Sequence, residues 1–247
     1  MSEKYKVDVL AFGAHPDDIE LASGGTVSKL TKEGHEVAIV DFTRGEMGTR
    51  GNKEKREQEA IKAAEIMKVK FRENLNLPDC NLAVSDESIY KTISVIRKYR
   101  PNIVIMNSPF ERHPDHEGLA SIVRNAMFKS GLRKYITEFE GQEQNPHRIR
   151  KMFCYMQSYD FPKEPSFYID ITDTFDMKMA AIKAYSSQVW VPGISDPEGP
   201  VTRLSRPEFI EELEARALYC GTKIGCRYAE AFYSIEPVGL SSISKLL

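Results

Sequence analysis

Short apolar runs alternate with longer amphipathic stretches through the first half of the chain. Val7 to Phe12, Glu36 to Phe42, Lys70 to Leu75 and Ile103 to Met106 have the length and composition of buried strands. Gly24 to Glu33, Lys53 to Met67, Glu87 to Tyr99 and Glu117 to Lys129 repeat apolar positions at helical spacing, with Gly34 and Pro101 as stop signals. This rhythm predicts one α/β domain over residues 1–247: a Rossmann-like, doubly wound, mostly parallel sheet with right-handed crossovers and helices on both faces. In such a sheet the first and fourth strands are neighbours where the winding reverses, and ligands bind at the carboxyl ends there. The second half is less regular. Phe153 to Gln157 and Phe167 to Ile171 read as strands, Thr174 to Tyr185 and Pro207 to Cys220 as helices, and the Pro- and Gly-rich stretch Trp190 to Arg206 as a long surface loop.

A 247-residue chain that is 41% hydrophobic can bury a full core. Its net charge of -2 supplies no basic field, which argues against nucleic acid or an anionic membrane and for a small-molecule partner. No apolar run is long enough to span a bilayer, and Met1 to Lys6 lacks the apolar core of a signal peptide, so a cytoplasmic protein is expected. Cys80, Cys154, Cys220 and Cys226 are accordingly expected as free thiols.

The chemistry concentrates at two strand ends. Ala14-His15-Pro16-Asp17-Asp18 follows the first strand, and Arg112-His113-Pro114-Asp115-His116 follows the fourth, so the fold should bring them into one crevice. Three of the five histidines lie in these motifs, whereas His35 and His147 sit in polar connections and are expected at the surface. Imidazole with carboxylate suits zinc, whose catalytic sites use three protein ligands and leave a position open. His15, Asp17, Asp18, His113, Asp115 and His116 exceed that need, leaving a carboxylate to accept a proton and an imidazole to stabilise an oxyanion. Spacing does not choose between His113 and His116 or between Asp17 and Asp18. The first turn lacks the glycine spacing of a dinucleotide site. Arg44 to Gly51 follows the second strand with three glycines, and Arg44, Arg50, Arg56 and Arg112 could fork a carboxylate or phosphate.

These two motifs, with Glu20, resemble the LmbE-like (PIG-L) family of zinc-dependent N-acetylglucosamine deacetylases. Thr43 to Gly51, Leu77-Pro78-Asp79, Ala184-Tyr185-Ser186-Ser187-Gln188 and the stretch from Glu214 to Phe232 resemble its bacillithiol-pathway members, which act on N-acetylglucosaminyl-malate. The resemblance implies one zinc on His15, Asp18 and His116, with Asp17 as general base and His113 as a charged stabiliser. It further implies a substrate site lined by Arg56, Arg112 and Tyr185, and a homo-oligomer, a hexamer. Other readings are a deacetylase of a different N-acetylglucosaminide such as a chitin fragment, a two-metal phosphoesterase, and a sugar- or metal-binding module without catalysis.

Overall fold

The computed structural model describes residues 3–196, 198–240 and 242; Pro197, in the expected loop, lies outside them. The strands are β1 (Val9–Gly13), β2 (Val37–Asp41), β3 (Phe71–Asn74), β4 (Ile103–Asn107), β5 (Glu138–Phe139), β6 (Gln142–Glu143), β7 (Lys151–Tyr155), β8 (Phe167–Asp170) and β9 (Ala229–Tyr233). The helices are α1 (Asp18–Lys32), α2 (Lys53–Ile66), α3 (Asp86–Tyr99), α4 (Pro114–Ser130), α5 (Phe175–Ala184) and α6 (Glu208–Thr222).

Seven strands form one sheet in the order β3-β2-β1-β4-β7-β9-β8. β1 pairs in parallel with both β2 and β4, as the sequence pattern predicts, and β4 pairs in parallel with β7. Alternating side chains divide the core. Leu10, Phe12, Ala38 and Val40 pack under Ile89, Ile93, Leu119 and Ile122 of α3 and α4. Val9, Ala11, Val37 and Ile39 face Ile19, Val27, Ala60, Ala63 and Ala181 of α1, α2 and α5. Each fully buried branched side chain contributes about 1.5–3 kcal/mol of transfer free energy. The carboxyl ends of β1 to β4 and β7 are thereby fixed along one edge.

Besides α4, which starts at Pro114 rather than Glu117, three elements differ from the sequence pattern. α1 starts at Asp18 rather than Gly24, but it is kinked at Ser23 (φ -137°, ψ 16°), just ahead of the expected start. The second difference is β9, inserted antiparallel between β7 and β8, which the pattern did not yield. Its Glu230 is 4% exposed and accepts the Gly25 and Thr26 N–H groups at 3.0 and 2.7 Å beside the α1 kink, with Lys178 Nζ at 2.5 Å. Last, the small β5–β6 hairpin was also absent from the pattern.

Candidate metal and catalytic centre

The turn from β1 into α1 puts Asp17 at the helix N-cap with φ +119°, a left-handed conformation that is strained for a residue with a side chain. Asp17 makes no capping hydrogen bond; its carboxylate pairs with Arg56 Nη2 at 3.1 Å. Arg56 also donates to Gly45 O at 3.1 Å and Pro16 O at 2.6 Å. Gly45, at φ +65°, leaves the space this guanidinium fills, so that glycine admits Arg56 rather than a ligand.

Asp18 stands between two imidazoles. Its Oδ2 is 3.6 Å from His15 Nδ1 and its Oδ1 is 3.3 Å from His116 Nε2. One ring nitrogen from each of His15, His113 and His116 lies within 4.8 Å of the others. The remaining nitrogens of the two flanking histidines are engaged by acids. His15 Nε2 lies 3.1 Å from Asp79 and 3.4 Å from Asp115, and His116 Nδ1 lies 3.4 Å from Glu111. Carboxylates holding the far nitrogen are what orient metal-ligating histidines and set their tautomer. These acids are themselves held: Asp115 accepts the Cys80 and Leu82 N–H groups, Asp79 that of Met47, and Glu111 those of Ser158 and Tyr159. A chain of buried amides completes the frame, with Asn107 Nδ2 donating to Gln157 Oε1 and Gln157 Nε2 to Asp18 Oδ1 at 2.6 Å.

The electrostatics fit a cation. Burial alone would discharge His116, but Asp18 and Glu111 outweigh it and raise its pKa to about 9. His15 is likewise held well above the imidazole range, where Asp115, Asp18 and Asp79 overcome burial. Burial raises Asp17 to about 7 against the pull of Arg56. The ring nitrogens of His15, His113 and His116, the buried carboxylates around them and this field suit a divalent ion, and Asp18 stands beside two of the three rings.

His113 behaves differently. It is the N-cap of α4, and the Asp115 N–H donates to its Nδ1 at 3.2 Å. An accepting Nδ1 places the proton on Nε2, and burial together with the His15 and His116 charges lowers the pKa. The ring thus presents Nε2–H toward the centre.

Above this centre lies a cleft of about 290 Å³ lined by His15, Asp17, Asp18, His113 and His116 together with Met47, Gly48, Leu21, Phe209 and four arginines. Two of the arginines, Arg56 and Arg112, were expected from the sequence; Arg203 and Arg216 were not. The guanidinium groups of Arg112, Arg203 and Arg216 make no hydrogen bond or ion pair among the described residues. Three expected lining residues are elsewhere. Tyr185 is 0% exposed and its hydroxyl donates to Glu20 at 3.2 Å. Arg44 donates to Asn76 on the rim of a neighbouring cavity, and Arg50 binds backbone carbonyls outside the cleft. Asp79 and Glu111 were missed as site residues, although each is an acid just beyond the carboxyl end of a strand, the signal that could have found them.

Residues 10–127 match the PIG-L family, described as GlcNAc-PI de-N-acetylase. Diacetylchitobiose deacetylase of Thermococcus kodakarensis is 32% identical over 242 residues, covering 94% of this chain and 84% of that protein. The chain belongs to the PIG-L family. Another relative, a probable N-acetyl-alpha-D-glucosaminyl L-malate deacetylase 2 of Bacillus cereus, is 28% identical over 73% of this chain and 83% of its own length. Among solved structures, the conserved protein TT1542 of Thermus thermophilus superposes with a TM-score of 0.82 at 34% identity, covering 96% of this chain and 98% of that one. Both strand-end motifs of this PIG-L chain fall inside the matched segment.

Proposed function

We propose that the protein is a zinc-dependent deacetylase that removes the N-acetyl group of an N-acetylglucosaminide, with N-acetylglucosaminyl-malate as substrate. The observation that carries the choice of substrate is the set of three uncommitted guanidinium groups around the cleft. A plain sugar offers them no anion, whereas the malate carboxylates suit their forks. Burial, reinforced by the charge of Arg203, pulls the pKa of Arg216 below the guanidinium range and outweighs the opposing pull of Cys220, Glu111 and Asp160.

A zinc ion held by His15, Asp18 and His116 would supply Lewis acidity. Asp17 takes the proton of the water whose oxygen attacks the acetamide carbon. With a pKa near 7 it is matched to that transfer and to the return of the proton to nitrogen. His113 Nε2–H donates to the carbonyl oxygen as charge develops there. The C–N bond then breaks, the amine leaves with the proton from Asp17, and acetate remains.

Likeness to the Thermococcus enzyme favours a second reading, a chitobiose-type substrate. Amine release from N-acetylglucosaminyl-malate, N,N'-diacetylchitobiose and N-acetylglucosamine separates the two. The malate conjugate should be preferred, and Arg216→Ala or Arg112→Ala should weaken it selectively, by roughly thirtyfold or more if a desolvated charged contact is lost. Equal losses on all three substrates would overturn the malate reading and leave the deacetylase reading standing. The homo-oligomer, a hexamer, belongs to the same proposal, and a monomeric mass in light scattering would remove it.

A further inference from the structure

Arg50 lies in the β2–α2 loop, and its guanidinium spreads over three backbone carbonyls. Nε donates to Ser187 O at 3.2 Å, Nη1 to Pro200 O at 3.0 Å and Nη2 to Asp196 O at 3.3 Å. Ser187 closely follows α5, whereas Asp196 and Pro200 belong to the Trp190 to Arg206 segment, so one side chain gathers the start and middle of that connection. The tie is reciprocal, since Gln188 Nε2 donates to Arg50 O at 2.7 Å. Its base is anchored on α2, where buried Glu59 accepts the Ser187 N–H at 2.9 Å and the Ser187 hydroxyl at 2.6 Å.

The packing leaves no slack. A Cβ on Gly199 would sit 2.9 Å from Arg50 Nη1, and one on Gly51, already at φ +72°, 2.8 Å from Ser187 Oγ. Beyond Pro200 the chain folds into a turn closed by Thr202 N–H to Ser205 Oγ at 2.8 Å, which delivers Arg203 and Leu204 to the cleft wall. The loop that carries Arg50 supplies Met47, Gly48 and Thr49 to the same cleft. Two cleft walls that are distant in sequence are thus joined through one guanidinium.

We infer that Arg50 is a positioning residue that fixes the Trp190 to Arg206 segment as a standing wall of the cleft and so sets where Arg203 and Leu204 meet the substrate. A planar fork is required, because the three carbonyls lie on separate stretches of backbone and an ammonium cannot span them in the same way. The kinetic part rests on the deacetylase reading; the structural part does not.

The test compares Arg50→Ala, Arg50→Lys and Gln188→Ala with the wild type, each as the full-length metal-loaded protein. Arg50→Ala should speed hydrogen exchange across the 190–206 segment by about tenfold or more while β1 and β4 keep their protection. Gln188→Ala, which loses the returning bond and the one to Ser187 Oγ but keeps the guanidinium fork, should shift exchange in the same direction by less, and Arg50→Lys should recover little. KM for the preferred substrate should rise about tenfold with kcat within about twofold, as for a contact displaced rather than removed. Adding Arg203→Ala to Arg50→Ala should cost much less than Arg203→Ala alone, because the first change has already displaced that side chain. Unchanged exchange in the segment, or strictly multiplicative kinetic losses, would overturn the inference. Altered exchange in a protein that deacetylates none of the substrates would sink the functional reading and leave the tie intact.

Discussion

Asp17 joins two features rarely found together in a carboxylate: a left-handed backbone at a helix N-cap, and an arginine partner that fails to keep its pKa low against burial. The conformation costs about 1–3 kcal/mol and persists because the Arg56 hydrogen bonds to Asp17, Pro16 and Gly45 determine it from several sides. Asp17→Asn keeps the shape and an acceptor for Arg56 but cannot take a proton. Turnover should fall about a hundredfold or more while metal content, measured by elemental analysis, stays at the wild-type level. Near-normal turnover would place the base elsewhere. His113 gives a prediction in pH. A required imidazolium would lose activity as pH rises through its lowered pKa, whereas a neutral donor would not. Asp17 must be ionised, so kcat/KM should rise as pH passes through about 7, or lower where a nearby cation favours the carboxylate, and then stay level. A profile that falls from acid toward neutral pH would favour the charged role over the neutral one.

Ala184 to Gln188 shows how an element's end can be spent on bracing rather than on ligand contact. Tyr185 donates to Glu20 on α1, Ser187 to Glu59 on α2 and Gln188 to the loop beside the cleft. Glu20 in turn meets Arg72 Nη1 at 2.5 Å, and Arg72 forks Asp41 at 2.8 and 3.0 Å. Tyr185→Phe removes one bond from this buried network, in which Glu20 Oε2 already lacks a partner among the described residues. It should destabilise by about 1–3 kcal/mol and leave KM unchanged. At roughly 2–4 °C per kcal/mol the melting shift is measurable by calorimetry. Intact stability with a raised KM would return Tyr185 to the substrate. The same network explains what the sequence hid. The convergence of His15, Asp18, His113 and His116 was legible because each lies within a few residues of a strand end. The surroundings of Arg50 and Tyr185 come from distant segments, and the pairing of Glu20 with Asp41 is invisible until β3 supplies Arg72 between them. Four parallel strands were legible from apolar runs, whereas β9 was masked by Glu230, an acid whose partners lie on α1 and α5.

Across the whole molecule the centre is built on a frame that does not depend on it. The proposed ligands follow β1 and β4, His15 on a turn and Asp18 and His116 in the first turns of α1 and α4, but those strands are joined by ladder hydrogen bonds and covered on both faces by large apolar clusters. Metal binding and folding are therefore separable, unlike in a zinc finger, whose core is too small to form without its ion. Chelation should abolish turnover while far-ultraviolet circular dichroism and cooperative melting persist. Stability should fall only by the linkage amount, about 2.7 kcal/mol at a metal concentration a hundredfold above Kd, because the ion binds the native state alone. His116→Ala should resemble the chelated wild type in stability and lose bound metal, since Asp18 and His15 remain without a third ligand. Zinc added back should restore the chelated wild type and not the variant. Loss of the cooperative transition on chelation would mean that the ion holds β1 to β4 and that the sheet does not. Full metal occupancy in His116→Ala would move the third ligand to His113, the other imidazole within reach of the cluster.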